Sequence, residues 1–201
     1  MEKPAVTHYP IHDLLKRRWS PRAFSDRRVE PATLRSLLEA ARWAPSSFNE
    51  QPWSFIVATK DDQTEFGRLL SCLVEGNIQW AQHAPVLMVS VARLSFEDNG
   101  KPNRHALHDV GQAVANLIVQ ATAVGLMVHQ MAGILPDMIR ELYSLPEGYE
   151  PVAGIALGYP GDPQKLPESL RQRELAPRER KPLTEFVFSG RWGRTSPLVS
   201  A

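Results

Sequence analysis

Arginines and a serine lie close together near the start of the chain, in the segment Arg18-Trp19-Ser20-Pro21-Arg22. A guanidinium group forms bidentate, charge-assisted hydrogen bonds to phosphate, and a serine hydroxyl adds a further donor. If the segment is extended, Arg18, Ser20 and Arg22 share one face, because side chains alternate along extended backbone. The spacing is typical of a phosphate-binding segment, although a solvated basic turn would have the same residues.

A second polar segment runs from Pro45 to Trp53 and carries small hydroxyl and amide side chains between two prolines. Amide side chains both donate and accept hydrogen bonds. The edge of a uracil-like ring, with alternating C=O and N–H groups, requires that mixture. The segment therefore suits recognition of such a ring, and it also suits an ordinary polar loop between a helix and a strand.

Two shorter segments could complete a site for an elongated ligand. Arg178-Glu179-Arg180-Lys181 offers further guanidinium groups, but it would equally form a solvated run of charges. His129-Gln130-Met131-Ala132-Gly133 lies at the end of a predicted strand. Gly133 would let the backbone approach a planar ligand, since it has no Cβ, or it is a simple turn residue.

Other chemistries have less support in the sequence. His105 and His108 lie three residues apart beside Asp109, but no second cluster of ligands accompanies them, so we expect no metal site. The sequence has neither a P-loop nor a Gly-x-Ser-x-Gly elbow. Gly158-Tyr159-Pro160-Gly161 leads into proline-rich sequence instead of a helix, which argues against a Rossmann dinucleotide site.

Composition narrows the class of protein further. Lys and Arg total 23 against 22 Asp and Glu, a net charge of +1, which disfavours a dedicated nucleic-acid binder despite the basic stretch from Lys16 to Arg28. Cys72 is the only cysteine, so no intramolecular disulfide forms. Polar residues interrupt the apolar stretch from Ala113 to Met131, so we expect no membrane span and a cytoplasmic protein.

The elements that would position these segments form an α+β pattern. Pro31 opens a helix with an apolar stripe. The segment from His105 to Ala123 predicts a helix that is buried all round, either in a core or in a subunit interface. After Gly158 frequent prolines and charges indicate an extended arm, which ends in the strand-like Phe186-Val187-Phe188. We expect one domain over residues 1–201, with a core of about 10–160 and a C-terminal arm of about 161–201.

Taken together, the segments resemble the nitroreductase family of flavoenzymes, over most of the chain from about Ile11 to Pro182. Arg18 to Phe24 and Ala44 to Trp53 are the most specific parts, about 20 residues apart and joined by an amphipathic helix. The resemblance implies a three-layer α-β-α sandwich with a mainly antiparallel central sheet. It also implies a homodimer that binds FMN at the subunit interface, with the extended C-terminal arm embracing the partner.

The resemblance further implies which residues hold FMN. Those expected near the phosphate and ribityl chain are Arg18, Trp19, Ser20, Arg178 and Arg180. Arg22, the candidate catalytic residue, would face the N1 and O2 edge of the ring, and Asn77 would bond its pyrimidine side. Ala132 and Gly133 would lie beneath N5, where a backbone N–H can bond to it. The opposite subunit would supply Pro45, Ser46, Ser47, Asn49 and Gln51.

By the same resemblance, the protein moves two electrons from NADH or NADPH to nitroaromatic, quinone or related acceptors by a ping-pong mechanism. The chain departs from the family pattern at Trp19 and Pro21, which are bulky or stiff, at Trp80, where some relatives have a basic residue, and at Ala132, where some have a carboxylate. Phe48 and Trp80 would either shape the cavity or only pack. A same-fold reductase or dehalogenase for one metabolite, or a non-catalytic flavin-binding protein, stays open.

Overall fold

The structure, a computed structural model, describes residues 2–200 and is built on one four-stranded sheet. Its strands are β1 (Trp53–Thr59), β2 (Val86–Arg93), β3 (Met127–Met131) and β4 (Tyr149–Gly158). Its helices are α1 (Asp13–Arg17), α2 (Pro31–Arg42), α3 (Gln63–Ser71), α4 (Glu75–Ala81), α5 (Ala106–Ala123), α6 (Pro136–Leu142) and α7 (Glu168–Leu175). Short 3₁₀ turns cover Ser47–Asn49, Pro163–Lys165, Leu183–Glu185 and Pro197–Val199.

The strands pair in the order β1-β2-β4-β3, and every pair is antiparallel. Strand β2 is buried on both faces: Val86 and Met88 pack into one apolar cluster, and Leu87 and Val89 pack into another. The first cluster contains residues of α2 and α5, and the second contains residues of α3, α4, α6 and α7. The expected three-layer α-β-α sandwich with an antiparallel sheet is therefore confirmed.

Helix α5 is buried on one side within the single chain. Val110, Val114 and Leu117 are buried against the sheet, whereas Leu107 is 52% exposed and Gly111 is also exposed. The core of one chain therefore accounts for one side of the predicted all-round burial, and a subunit interface is the expectation for the other. An apolar exposed side suits contact with another polypeptide chain.

The chain after Gly158 folds back onto the body before it becomes extended. The Gly161 amide donates to the Ala23 carbonyl at 2.8 Å, and a Cβ at Gly161 would lie 2.4 Å from Phe24 backbone atoms. Helix α7, which the sequence did not predict, buries Leu170 and Glu174. Residues 161–175 are thus part of the body, and irregular chain begins at Ala176.

The end of the chain forms a small hairpin in place of the predicted strand Phe186-Val187-Phe188. A single bridge joins Phe188 to Thr195, and Phe186 is 56% exposed. This segment does not pair with any strand of the described sheet, whose edge strands are β1 and β3. None of the helices within residues 2–200 combines the length and the apolar character that crossing a membrane requires.

Candidate functional site

A cationic cavity of about 190 Å³ lies where the N-terminal segment meets the beginning of the arm. Six of its eleven lining residues are basic and one is acidic: Lys3, Arg18, Trp19, Ser20, Arg22, Arg173, Glu174, Ala176, Pro177, Arg178 and Arg180. Arg18, Ser20 and Arg22 lie outside regular helix and strand, with a bend at Arg22, and all three line the cavity. The structure thus brings together all six sequence-predicted residues of the two basic segments.

A buried carboxylate fixes the backbone of the first basic segment. Glu174, from the last turn of α7, accepts hydrogen bonds from the Arg22 amide at 3.0 and 2.9 Å and from the Ala23 amide at 3.1 Å. These contacts satisfy a charge that would otherwise be costly to bury. They hold the backbone of Arg22 while its guanidinium group lines the cavity.

The N-terminal segment fastens the beginning of the arm. Lys3 donates from Nζ to the backbone carbonyls of Glu174 at 2.6 Å and Ala176 at 2.5 Å. Arg178 in turn donates from Nη1 to the carbonyls of Lys3 at 2.6 Å and Lys16 at 2.9 Å. Arg180 reaches only the carbonyl of its neighbour Glu179 among residues 2–200, at 2.6 Å. Arg178 therefore uses its guanidinium group to hold distant protein segments, whereas the guanidinium group of Arg180 holds none.

Positive charge accumulates in this cavity beyond what the protein itself neutralises. Burial lowers the pKa of Arg18, and the neighbouring Arg178 and Arg180 lower that pKa further. The pKa of Arg22 is also lowered, first by burial, while Glu174 opposes the shift and Arg173 adds to it. Arginine nevertheless stays protonated at neutral pH. A bound anion would relieve this repulsion.

His129 on β3 lies behind the same segment. Its Nδ1 atom is 2.9 Å from the Pro21 carbonyl oxygen, and its ring centroid lies 4.5 Å from that of Trp80. Burial lowers the pKa of His129 to about 4, and the nearby Arg22 contributes in the same direction. The ring is therefore neutral at pH 7, and Nδ1–H donates to Pro21 because that carbonyl can only accept.

Asn77 and Gly133, predicted to contact the flavin ring, touch each other in the structure. Asn77 donates from Nδ2 to the Gly133 carbonyl at 2.9 Å, and the Val74 amide donates to the same oxygen at 3.2 Å. A bridge between Leu73 and Ile134 holds the start of α4 against the segment after β3. Ala132, next to Gly133, is exposed. Asn77, Ala132 and Gly133, the residues predicted to bind the ring from the same chain, therefore lie next to one another.

The polar loop from Pro45 to Pro52 is held in a strained conformation. Phe48, Asn49 and Gln51 have φ values of 54°, 57° and 50°, three of the four positive values among the described non-glycine residues. Such backbone is costly for residues with a Cβ and is common at functional sites. The buried carboxylate of Asp109 accepts from the Ser47 amide at 2.9 Å and helps to fix the loop.

Further hydrogen bonds inside the loop maintain its shape. The Ser46 hydroxyl accepts from the Gln51 amide at 3.0 Å, and the Gln51 side chain donates to the Asn49 carbonyl at 3.0 Å. Glu50 pairs with Arg93 at 2.5 Å and so anchors the loop to the end of β2. Phe48 is 91% exposed at the tip. The loop is thus rigidly supported yet presents its residues outward.

Within one chain, the polar loop and the cationic cavity lie at opposite edges of the sheet. The loop leads into edge strand β1, whereas His129 belongs to the other edge strand, β3. Two strands separate these edges, which places them roughly 14 Å apart at a spacing of about 4.8 Å per strand. Pro45, Ser46, Ser47, Asn49 and Gln51 therefore do not join the cavity of their own chain.

Trp80, His105 and His108, which the sequence left without a definite role, lie outside the lining of the cationic cavity. Trp80 is 1% exposed and packs between Phe24 and His129, which fits a packing role. His105 and His108 are exposed on α5 and its N-cap, and no group of three potential ligands able to hold a metal lies within residues 2–200. Local sequence patterns do not point to Lys3 or Glu174, and they point to His129 only as part of the segment that ends at Gly133. The positions of all three depend on contacts between distant segments.

Comparison with known proteins relates this fold and site to a family. The nitroreductase family model matches residues 15–159. An uncharacterized 15.4 kDa protein of Mycolicibacterium smegmatis is 35% identical over 147 residues, 69% of this chain and 97% of that protein. A putative NADH dehydrogenase/NAD(P)H nitroreductase of Archaeoglobus fulgidus is 28% identical over 157 residues, 76% of this chain and 86% of that protein.

A solved structure described as an oxidoreductase containing FMN is similar over nearly the whole fold. It matches with a TM-score of 0.89 and 37% identity, over 94% of this chain and 96% of that chain. Since the family model spans most of the chain and the structural likeness covers 94% of it, the chain belongs to the nitroreductase family.

Proposed function

We propose that the protein binds FMN and transfers two electrons from NADH or NADPH to small oxidised acceptors such as nitroaromatics or quinones. The observation that carries this proposal is the cationic cavity, in which six basic residues face one carboxylate. A dianionic phosphate is the ligand class that such a cluster binds best. The FMN-containing structure and the putative NAD(P)H nitroreductase among its relatives support the same conclusion.

The residues of this chain fit a ligand that has a phosphate at one end and a flat ring at the other. Trp19 lines the cavity, and its buried indole N–H has no acceptor among residues 2–200. Strand β3 leads from His129, behind the cavity, toward Gly133, a separation of at most about 13 Å at roughly 3.3 Å per residue. Asn77 and Gly133 then offer a polar edge and close backbone approach.

Bound FMN would supply the two-electron chemistry, in one half-reaction with the nicotinamide and a second with the acceptor. Arg18, Ser20 and Arg180 would hold the phosphate. Arg22 would place a fixed positive charge at the ring edge where reduction adds negative charge, and preorganised charge of this kind lowers the barrier. No side-chain acid or base is needed in this scheme, so the protein binds, orients and tunes the cofactor.

A second copy of the chain would complete the site. The loop from Pro45 to Pro52 is rigid and outward-facing, and it lies at the sheet edge opposite to the cavity. In a two-fold dimer each loop would reach the other chain's ring, because such interfaces are reciprocal. The exposed apolar side chains of the arm, with Trp192 at 91% exposure, also favour a homodimer.

The direct test is anaerobic reduction of the purified, FMN-loaded protein. We expect a yellow protein whose flavin absorbance bleaches on addition of NADH or NADPH and returns when an oxidised acceptor is added. Arg22→Ala should slow the bleaching at least about tenfold while FMN is still bound. Arg27→Ala is the matched control, because its guanidinium group stacks on the Tyr159 ring at 3.8 Å. A colourless protein that does not take up FMN would disprove the proposal.

Two alternatives are separated by the same experiment. A protein that binds FMN but is not bleached by either nucleotide would be a flavin-binding protein without catalysis. A protein that is reduced and reoxidised by one metabolite only, among a panel of nitro, quinone, enone and halogenated compounds, would be a dedicated reductase or dehalogenase of the same fold.

A further inference from the structure

The side chain of Glu174 is fully enclosed at the cationic cavity, with 1% of its surface exposed. Both carboxylate oxygens accept from the Arg22 amide, at 3.0 and 2.9 Å, and one also accepts from the Ala23 amide at 3.1 Å. These are charge-assisted bonds to two successive backbone N–H groups, which is a demanding geometry for a loop to maintain. The loop conformation around Arg22 therefore depends on this carboxylate.

Glu174 also connects the two halves of the cavity. It lies in the last turn of α7, four residues before Arg178 and six before Arg180, so its position sets where the arm begins. Its own carbonyl accepts from Lys3 Nζ at 2.6 Å, which adds the N-terminal segment to the same junction. One residue thus joins the loop that carries Arg22 to the segment that carries the arm arginines.

The negative charge of Glu174 does not help the cavity to attract an anion. A carboxylate in the lining of a phosphate-binding cavity repels the ligand, and the repulsion is stronger where water is excluded. If Glu174 did no more than offset the surrounding cations, neutralising it would strengthen phosphate binding. If its bonds to the loop matter more, neutralising it would weaken phosphate binding, and these two expectations have opposite signs.

We propose that Glu174 is a positioning residue that preorganises the cavity for a phosphate group by fixing the Arg22–Ala23 backbone against the start of the arm. The inference rests on the proposed function in that the phosphate is taken to be that of FMN. Glu174 contacts backbone amides of the loop and acts on the ligand through them. Preorganisation of this kind strengthens binding by reducing the ordering cost that binding must meet.

The test compares Glu174→Gln and Glu174→Ala with the control Glu168→Gln, an exposed carboxylate of the same helix that pairs with Arg171. FMN affinity is measured by flavin fluorescence, together with the melting temperature of each apo-protein. We expect Glu174→Gln, which keeps the shape but replaces one acceptor by a donor, to weaken FMN binding about tenfold. Glu174→Ala should weaken it further, and Glu168→Gln should leave it unchanged.

Amide hydrogen exchange of the apo-proteins gives a second readout that needs no ligand. The Arg22 and Ala23 amides should exchange faster in Glu174→Gln, with the Glu168→Gln protein as reference. Tighter FMN binding by Glu174→Gln would overturn the inference and show that Glu174 only offsets the charge of the surrounding cations. A lower melting temperature with unchanged FMN affinity would also overturn it.

Failure of the proposed function gives a different pattern. If the wild-type protein takes up no FMN, the proposed function is wrong, whereas the exchange rates still decide whether Glu174 orders the loop. If the wild-type protein binds FMN and all variants match it in affinity and exchange, only the inference about Glu174 is wrong.

Discussion

At the scale of single residues, the two arginines of the arm have different tasks although the sequence treats them alike. Arg178 already donates to the carbonyls of Lys3 and Lys16, whereas the Arg180 side chain donates a hydrogen bond only to the carbonyl of its neighbour Glu179 within residues 2–200. We expect Arg180→Ala to weaken FMN binding about tenfold or more and to leave the melting temperature of the apo-protein nearly unchanged, since a charged hydrogen bond to the ligand is lost.

Arg178→Ala is the matched comparison for that prediction. It removes bonds that fasten the N-terminal segment, so we expect both the melting temperature and FMN affinity to fall. Fluorescence titration and thermal denaturation of the two variants provide the measurement. An Arg180→Ala protein that is destabilised but binds FMN normally would reverse the assignment of the two roles.

His129 makes the stability of the fold sensitive to mild acid. Its pKa falls from an ordinary value of 6.5 to about 4 on folding, mainly because the ring is buried. The unfolded chain therefore takes up a proton first as pH falls, and stability present above about pH 6.5 is lost progressively toward pH 4. We expect a loss of ~3 kcal/mol in the free energy of unfolding across this window.

His129→Asn keeps a donor near Nδ1 but does not titrate, so it should remove most of this pH dependence. Urea denaturation at several pH values between 4 and 7 measures the effect, and His8→Asn, at an exposed position, serves as the control. Equal pH dependence in wild type and His129→Asn would show that other groups cause the acid sensitivity.

At the scale of elements, the sequence predicted those helices and strands whose burial is periodic. The stripe on α2 was readable because Leu34, Leu37 and Ala41 are buried on one side and Pro31 opens the helix. Helix α4 could not be predicted from the sequence, because only Trp80 and Ala81 are buried within it. A helix with so few buried residues has no periodic signal.

Helix α7 and the residues of the site show the same limit. Among the eight residues of α7 only Leu170 and Glu174 are buried, so no apolar stripe marks it. The bond from the Arg22 amide to Glu174 spans 152 residues along the chain, and no local pattern specifies such a contact. The alternation of Arg18, Ser20 and Arg22, in contrast, depends on local backbone, and the structure brings these residues to one cavity as expected.

The contact between α4 and the segment after β3 depends on the absence of a side chain at Gly133. A Cβ there would lie 2.6 Å from Val74 Cγ2 and 2.7 Å from Asn77 Nδ2, so Gly133→Ala must displace Asn77. We expect lower FMN affinity and a loss of about 1–3 kcal/mol in stability from overpacking. Gly111→Ala on α5 meets no atom within 4 Å and should stabilise the helix by about 0.5–1 kcal/mol.

Chemical denaturation and FMN titration of both glycine variants test this prediction. The comparison isolates the effect of a Cβ at a crowded position from the general gain in helix stability. If Gly133→Ala binds FMN like the wild type, Asn77 does not contribute to ring binding in the way proposed.

At the scale of the whole molecule, the two parts of the proposed ligand site lie apart in one chain. The cavity lies beside β3 and the strained loop leads into β1, at opposite edges of the same sheet. The arm adds apolar side chains that single chains do not cover, with Trp192 at 91% and Leu198 at 84% exposure. An exposed face of this kind, together with a divided site, favours assembly of two chains.

The last prediction tests assembly and cofactor binding together. A chain ending at Pro182 keeps Arg178, Arg180 and the whole three-layer body, but it loses the exposed apolar part of the arm. We expect it to fold, to sediment as a monomer, and to bind FMN at least about tenfold more weakly although every cation of the cavity is retained. The reason is that the loop from Pro45 to Pro52 of a second chain would no longer reach the ring.

A full-length Trp192→Ser, Leu198→Ser double variant is the control for deleting residues. It should show weaker self-association, and FMN affinity that rises with protein concentration, because binding and dimerisation are then linked. Sedimentation velocity and FMN titration at two protein concentrations measure both quantities. A truncated monomer that binds FMN as tightly as the full chain would mean that one subunit holds the cofactor alone, and the division of the site across the sheet would then have no role in binding.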